Sequence, residues 1–150
     1  QNYHFLYDFI KTNNNKFDIT INTEVTNIIE LIKTKNIFIY TIIVDDNIIC
    51  AYFFRKSCVQ IESGIEVLSC FASISNTDDN IFIQGFKISF WKISAENFFG
   101  FAAIEDISDN YIIINNIRLK TKPLIISPTA YFFYNFGYPT FKSNKVLIIN

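Results

Sequence analysis

The sequence predicts an α/β unit built on a mostly antiparallel central sheet that is covered by helices on both faces. Three observations carry this expectation. Half of the 150 residues are apolar, 17% are aromatic and 18% are charged, with 4 Gly and 3 Pro, a composition that fills a large core and excludes disordered or collagen-like chains. Near the amino end, apolar residues recur at helical spacing. In the middle, β-branched and aromatic runs are apolar on both faces, which is the pattern of strands sandwiched between layers rather than half in water. The length suits a single domain over residues 1–150, or one lobe of a larger enzyme.

Tyr3, Leu6, Tyr7 and Ile10 fall at i, i+3, i+4 and i+7, so the chain opens with a short amphipathic helix that stops near Asn13, Asn14 and Asn15. Asn22 is a candidate cap for a second helix, with Val25, Ile28, Ile29 and Ile32 as its buried stripe and Lys33 and Lys35 at its end. Ile37 to Val44 and Ile48 to Phe54 flank the polar turn Asp45, Asp46 and Asn47, which predicts an antiparallel hairpin. A third strand is expected from Glu66 to Ser75. Asp78, Asp79 and Asn80 then offer caps for a helix to about Ala95, with Ile81, Ile88 and Trp91 on its buried face and Phe82, Phe86 and Ile93 widening it. A strand from Phe98 to Ile104, a helix from Asp106 to Ile117, and strands at Ala130 to Phe136 and Val146 to Ile149 complete the order ααβββαβαββ.

Charge and special residues narrow the function. The 13 Lys and Arg against 14 Asp and Glu give a formal charge of -1, so the basic footprint of a nucleic-acid binder is missing and nucleic acid is not an expected partner. The apolar stretch from Ile37 to Phe54 is cut by Asp45 after eight residues, too short for a transmembrane helix. No signal peptide is visible, although a chain that begins at Gln1 leaves upstream residues open. Cys50, Cys58 and Cys70 lack paired metal spacing and lie far from the single His4. They read as buried reduced thiols in a cytoplasmic, reducing compartment, and no metal site is expected. The use of 29 Ile against 6 Leu, with 17 Asn and 11 Lys, reflects AT-rich coding, so Ile-rich and Asn-rich stretches carry little chemical meaning by themselves.

The predicted order matches folds that use acyl-CoA to acylate amines, and several segments sharpen the likeness. Tyr131-Phe132-Phe133-Tyr134-Asn135-Phe136 is followed by a short loop and then Lys145-Val146-Leu147-Ile148-Ile149-Asn150. This resembles the end of the glycylpeptide N-tetradecanoyltransferase (N-myristoyltransferase) family, which reads Tyr-Tyr-Leu-Tyr-Asn-Trp and then Lys-Val before a short apolar terminus. Phe98-Phe99-Gly100-Phe101-Ala102-Ala103-Ile104-Glu105 resembles the family's Gly-Phe-Asp-Val-Phe-Asn-Ala-Leu-Asp strand, and Tyr40-Thr41-Ile42-Ile43-Val44 its Tyr-Thr-Tyr-Val-Val strand. The resemblance covers nearly all of the chain. It corresponds to the carboxyl-terminal half of the family's two-fold enzyme and implies a GNAT-like acyltransferase fold.

What the resemblance implies is transfer of a myristoyl group from myristoyl-CoA, as co-substrate, to the amino-terminal glycine of a protein. Such a transfer needs a neutral amine, a base for its proton and donors for the oxyanion. In the family the base is the carboxylate of the last residue, so the role falls on the main-chain carboxylate of Asn150, with Val146 to Ile149 threading it into apolar surroundings. From pattern alone, that segment is an ordinary core strand. The resemblance further implies a peptide groove near Ile148 and Ile149, with Phe71 where the family has Tyr and Tyr52 near a family Ser. Most of the acyl-CoA site belongs to an amino-terminal lobe that this sequence lacks.

One departure weighs against activity. The family's Lys-Phe-Gly-x-Gly-Asp-Gly loop is replaced by the glycine-free segment from Arg118 to Pro128, stiffened by Pro123 and Pro128. The alternative is therefore a catalytically decayed GNAT-like lobe that serves as a peptide-binding or structural assembly module. Asp78-Asp79 and Glu105-Asp106 read as helix caps, Lys120 and Lys122 as solvated surface, and His4 as a packed or exposed helix residue.

Overall fold

The computed structural model describes residues 3–59, 64–97, 100–128 and 140–150. In chain order these form α1 (Tyr3–Asn13), β1 (Ile19–Asn22), α2 (Val25–Lys33), β2 (Ile37–Val44), β3 (Asn47–Val59), β4 (Ile65–Ser75), α3 (Asp79–Asn97), β5 (Ala102–Ile104), α4 (Asn110–Arg118) and β6 (Val146–Ile149). The expected strand from Ala130 to Phe136 lies outside the described residues, as do Phe98 and Phe99. No described helix is long and apolar enough to cross a membrane.

Four strands form one sheet in the order β2-β3-β4-β5, antiparallel except for the parallel pair β4–β5. The β2–β3 hairpin closes through Asp45 and Asp46, both left-handed at φ 47° and 62°, the backbone that a two-residue turn needs to match strand twist. Asn47 already belongs to β3 and pairs with Val44. Alternation along β3 sends Ala51 and Phe53 to the face covered by α1 and α2, and Cys50, Tyr52 and Phe54 to the face covered by α3 and α4. The sheet is thus covered on both sides, as its two-faced apolar runs require.

Two local features depart from the sequence reading. Ile19 to Asn22 form a strand, not a lead-in to a helix, and pair in parallel with Val146 to Ile149. Glu24 takes the cap position of α2, without a side-chain capping bond. On α3, Phe82, Phe86 and Ile93 are the buried stripe while Ile81, Ile88 and Trp91 stay exposed. The aromatic rings decide this rotation. Phe82 stacks on Tyr52 at 5.2 Å between centroids and Phe86 on Phe54 at 5.9 Å, contacts worth about 1 kcal/mol each beyond their buried area. Asp78 caps α3 by accepting a bond from the Ile81 amide at 3.0 Å.

Gly85 makes this packing possible. A Cβ there would run into Ile42 Cδ1 and the Tyr52 hydroxyl, with Tyr52 Cζ at 3.1 Å. Tyr52 has no room to retreat, since it is fully buried and its hydroxyl donates to the Phe82 carbonyl at 2.6 Å. Alanine favours a helix by about 1 kcal/mol over glycine, yet overpacking on this scale costs more. Gly85→Ala is therefore expected to destabilise by about 2 kcal/mol net, read as a lower urea midpoint at constant slope. A raised midpoint would show that helix propensity wins.

Candidate functional site

A bulge shapes the first part of the site. Phe53 pairs with Ala72 and Phe54 with Cys70, so Phe71 is the extra residue of β4 and joins Ala72 and Ile74 on the α1/α2 face. β6 lies against that face, where Leu147 and Ile149 enter the same cluster as Phe53 and Phe71. The result is a narrow apolar cleft lined by Ile28, Leu31, Phe53, Phe71, Ile149 and Asn150, with Thr23 at its side. Its volume is about 10 Å³, room for about one water molecule. The Arg55 guanidinium sits 3.9 Å from the centre of the Phe71 ring, and its Nε is buried without a hydrogen-bond partner. A positive charge therefore stands beside the cleft, a feature that sequence reasoning missed.

The five residues singled out from sequence separate into two groups. Phe71, Ile149 and Asn150 meet in the cleft. Ile148 points the other way, into a small cluster with Ile107 and Val146, because neighbours in a strand face opposite sides. Tyr52 lies on the α3/α4 face of the sheet with its hydroxyl committed to Phe82. Val146 to Ile149 are buried as expected, but Asn150 itself is exposed. Asn150 therefore meets the cleft from its solvent side instead of being sealed in apolar surroundings.

The second part lies along the free edge of β4. β5 pairs only with Leu68, Ser69 and Cys70, so the backbone from Phe71 to Ser75 needs other partners. The turn before α4 provides them. Ser108 Oγ accepts from the Ser73 amide at 3.0 Å, Asp109 Oδ2 accepts from the Ser75 amide at 2.7 Å, and the Asp109 amide donates to the Ser73 carbonyl at 3.3 Å. Asn110, fully buried, donates to the Cys70 and Glu105 carbonyls at 3.2 and 2.9 Å and accepts from the Ser73 hydroxyl. Ser108 holds a left-handed backbone, φ 53°, a strain of about 1 kcal/mol or more for a residue other than glycine. Lys16 closes the group by donating to the Ser75 carbonyl and pairing with Asp109 at 3.2 Å. The backbone groups of Ser73 and Ser75 are thus met from within the chain, so nothing else can pair with them without displacing Ser108, Asp109 and Lys16.

The sequence carried a signal for this cluster. Ser69, Ser73 and Ser75 interrupt a stretch that from Val67 on is otherwise apolar and buried, and buried hydroxyls and amides demand partners. The expected helix from Asp106 instead begins at Asn110, which frees Ser108 and Asp109 for the edge. Glu105 and Asp106 accordingly do not cap it. Cys70, beside Asn110, is pushed up to about 12 by burial, and burial also raises Cys50, so neither is a nucleophile at neutral pH. Cys58, expected to be buried, is exposed. His4 lies on the exposed side of α1. Among the described residues no group of three His, Cys, Asp or Glu side chains is placed to hold a metal ion.

The sequence matches no family model and no curated protein. Solved structures share its fold. An aminoglycoside acetyltransferase from an uncultured soil metagenomic sample superposes with a TM-score of 0.60 at 13% identity, over 89% of this chain and 88% of that one. A ribosomal-protein-alanine N-acetyltransferase from Brucella melitensis biovar Abortus 2308 gives 0.60 at 9% identity, over 87% and 93%. A transcriptional regulator from Bacillus halodurans C-125 gives 0.53 at 11% identity, over 72% and 75%. The chain therefore has the mixed α/β fold of GNAT acetyltransferases. At these identities the likeness is one of fold.

Proposed function

We propose that this chain is an acyltransferase lobe of the N-myristoyltransferase kind, which presents the amino-terminal glycine of a protein to myristoyl-CoA held by a second, amino-terminal lobe. The observation that carries the reading is the convergence of Phe71, Ile149 and Asn150 in one apolar cleft at the end of β6. In a chain whose last residue is Asn150, the main-chain carboxylate stands at the mouth of that cleft. It takes a proton from the glycine ammonium. The neutral amine attacks the thioester carbonyl, the C–N bond forms, the C–S bond breaks, and the second proton of the attacking nitrogen passes to the departing CoA thiolate, which leaves as the thiol. Phe71 and Ile149 line the approach and keep water from the amine. Donors for the oxyanion belong to the other lobe.

The filled edge of β4 supports this division of labour. A CoA arm finds the Ser73 and Ser75 backbone there already paired, and the amino end of α3 carries Asp78 and Asp79, which oppose phosphate at a position where helix dipoles otherwise attract it. The lobe therefore suits the peptide better than the nucleotide. The same closure, together with a cleft of about 10 Å³, favours a second reading, a decayed lobe that binds peptide or assembles without catalysis.

Calorimetric titration of the full-length protein with myristoyl-CoA, then with a peptide beginning in glycine, separates the two while free CoA is monitored. Binding of both with CoA release is the expected result. Peptide binding without CoA release would transfer the assignment to the decayed peptide-binding module, and no response to either would sink both ligand-binding readings and leave a structural assembly lobe.

A further inference from the structure

The acidic and basic residues are distributed unevenly along the chain. All 14 Asp and Glu lie at or before Asp109, whereas Asn110 to Asn150 hold Arg118, Lys120, Lys122, Lys142 and Lys145 and no acid. Three of these cations are concentrated where α4 ends. There the chain leaves the helix through bonds from the Leu119 and Lys120 amides to Asn116 and Ile117, and every residue from Arg118 to Pro128 is exposed. Between and beyond the cations stand large aliphatic side chains in water, with Leu119 83%, Leu124 82% and Ile126 72% exposed and Ile125 54%. Pro123 sits between the basic and the aliphatic part. No ion pair among the described residues involves Arg118, Lys120 or Lys122.

We propose that the segment from Arg118 to Ile126 is a docking strap for an anionic membrane surface, its cations meeting lipid phosphates while Leu119, Leu124, Ile125 and Ile126 enter the acyl boundary. Each Lys or Arg near an anionic bilayer contributes on the order of 1 kcal/mol, and apolar side chains add to that by burial in the interface. Two signals of different kind give stable but reversible binding, which neither supplies alone. Aliphatic residues decide for lipid over single-stranded nucleic acid, because base recognition uses aromatic faces for stacking and the strap has none. The inference is independent of the acyl-transfer reading, since it uses none of the cleft residues.

Sedimentation of the full-length protein with vesicles tests it, using phosphatidylcholine alone or phosphatidylcholine mixed with phosphatidylserine. Partitioning at least about tenfold stronger onto the anionic vesicles is expected, weakening as salt rises. Lys120→Glu with Lys122→Glu, and separately Ile125→Asp with Ile126→Asp, should each reduce partitioning at least about tenfold while thermal unfolding stays unchanged, because all four side chains are exposed. Equal binding to both vesicles, binding untouched by either pair, or retention on an oligonucleotide in place of vesicles overturns the proposal.

Discussion

Extending the chain by one glycine beyond Asn150 is expected to cut turnover of the complete enzyme at least about tenfold, given the 10²- to 10⁴-fold usual when a general base is lost. The reason lies in how firmly β6 is held. Its four residues pair in register with Ile19 to Asn22, and Leu147 and Ile149 are 0% and 3% exposed, so the strand cannot slide back to absorb an added residue. One residue of strand moves the carboxylate outward by about 3.3 Å, beyond hydrogen-bond reach of an amine that the unextended chain would serve. Ground-state affinity for myristoyl-CoA should be unchanged, so the loss falls on kcat rather than on binding. A carboxyl-terminal amide, which removes the charge without lengthening the chain, should act in the same direction. Unchanged turnover in the extended chain would sink the role assigned to the carboxylate and leave Val146 to Ile149 as a core strand only.

Much of the architecture was legible because it rests on local pattern. The hairpin around Asp45 and Asp46, the long apolar β4 and the opening helix follow from short-range periodicity and turn chemistry, which a sequence displays directly. β1 was not legible. Four residues are too few for a period, and its pairing with β6 joins the two ends of the chain. The buried face of α3 was misjudged for a related reason. Ile81, Ile88 and Trp91 are as apolar as Phe82, Phe86 and Ile93, so hydrophobicity leaves the rotation of the helix undecided, and stacking on Tyr52 and Phe54 settles it. Gly85 reads in sequence as a weak point in a helix. In the fold it is where Tyr52 reaches the helix backbone.

The candidate site divides the same way. The resemblance grouped all five of Tyr52, Phe71, Ile148, Ile149 and Asn150, and strand alternation separates Ile148 and Tyr52 from the other three. That alternation is certain only once register is known. A one-residue bulge at Phe71 resets the faces of β4, and no composition rule announces it. The Ser-rich edge of β4 is the instructive omission. Its serines were visible, but their partners lie more than thirty positions away in Ser108, Asp109 and Asn110.

Asp109→Ala is the second substitution with a large expected effect, a loss of about 3 kcal/mol in stability. Asp109 is 7% exposed and its Oδ2 is the acceptor for the Ser75 amide at 2.7 Å. Ser75 is equally buried, so alanine leaves an amide with neither protein nor water as partner, at about 1 to 3 kcal/mol. Loss of a charged acceptor places the effect at the upper end of that range. The ion pair with Lys16 adds little, since that side chain is 35% exposed and screened by solvent. Asp109→Asn retains an acceptor oxygen and should lose only about 1 kcal/mol, and Lys16→Met should be similarly mild. Urea unfolding reads all three, and amide exchange reads the cause. In Asp109→Ala the Ser75 amide should exchange markedly faster while the Phe54 amide, deep in the sheet, keeps its protection. If the midpoint of Asp109→Ala matches that of the parent, the carboxylate does not hold the edge closed. β4 would then be free to take a partner strand or a ligand arm, and the argument that places acyl-CoA on another lobe would lose its footing.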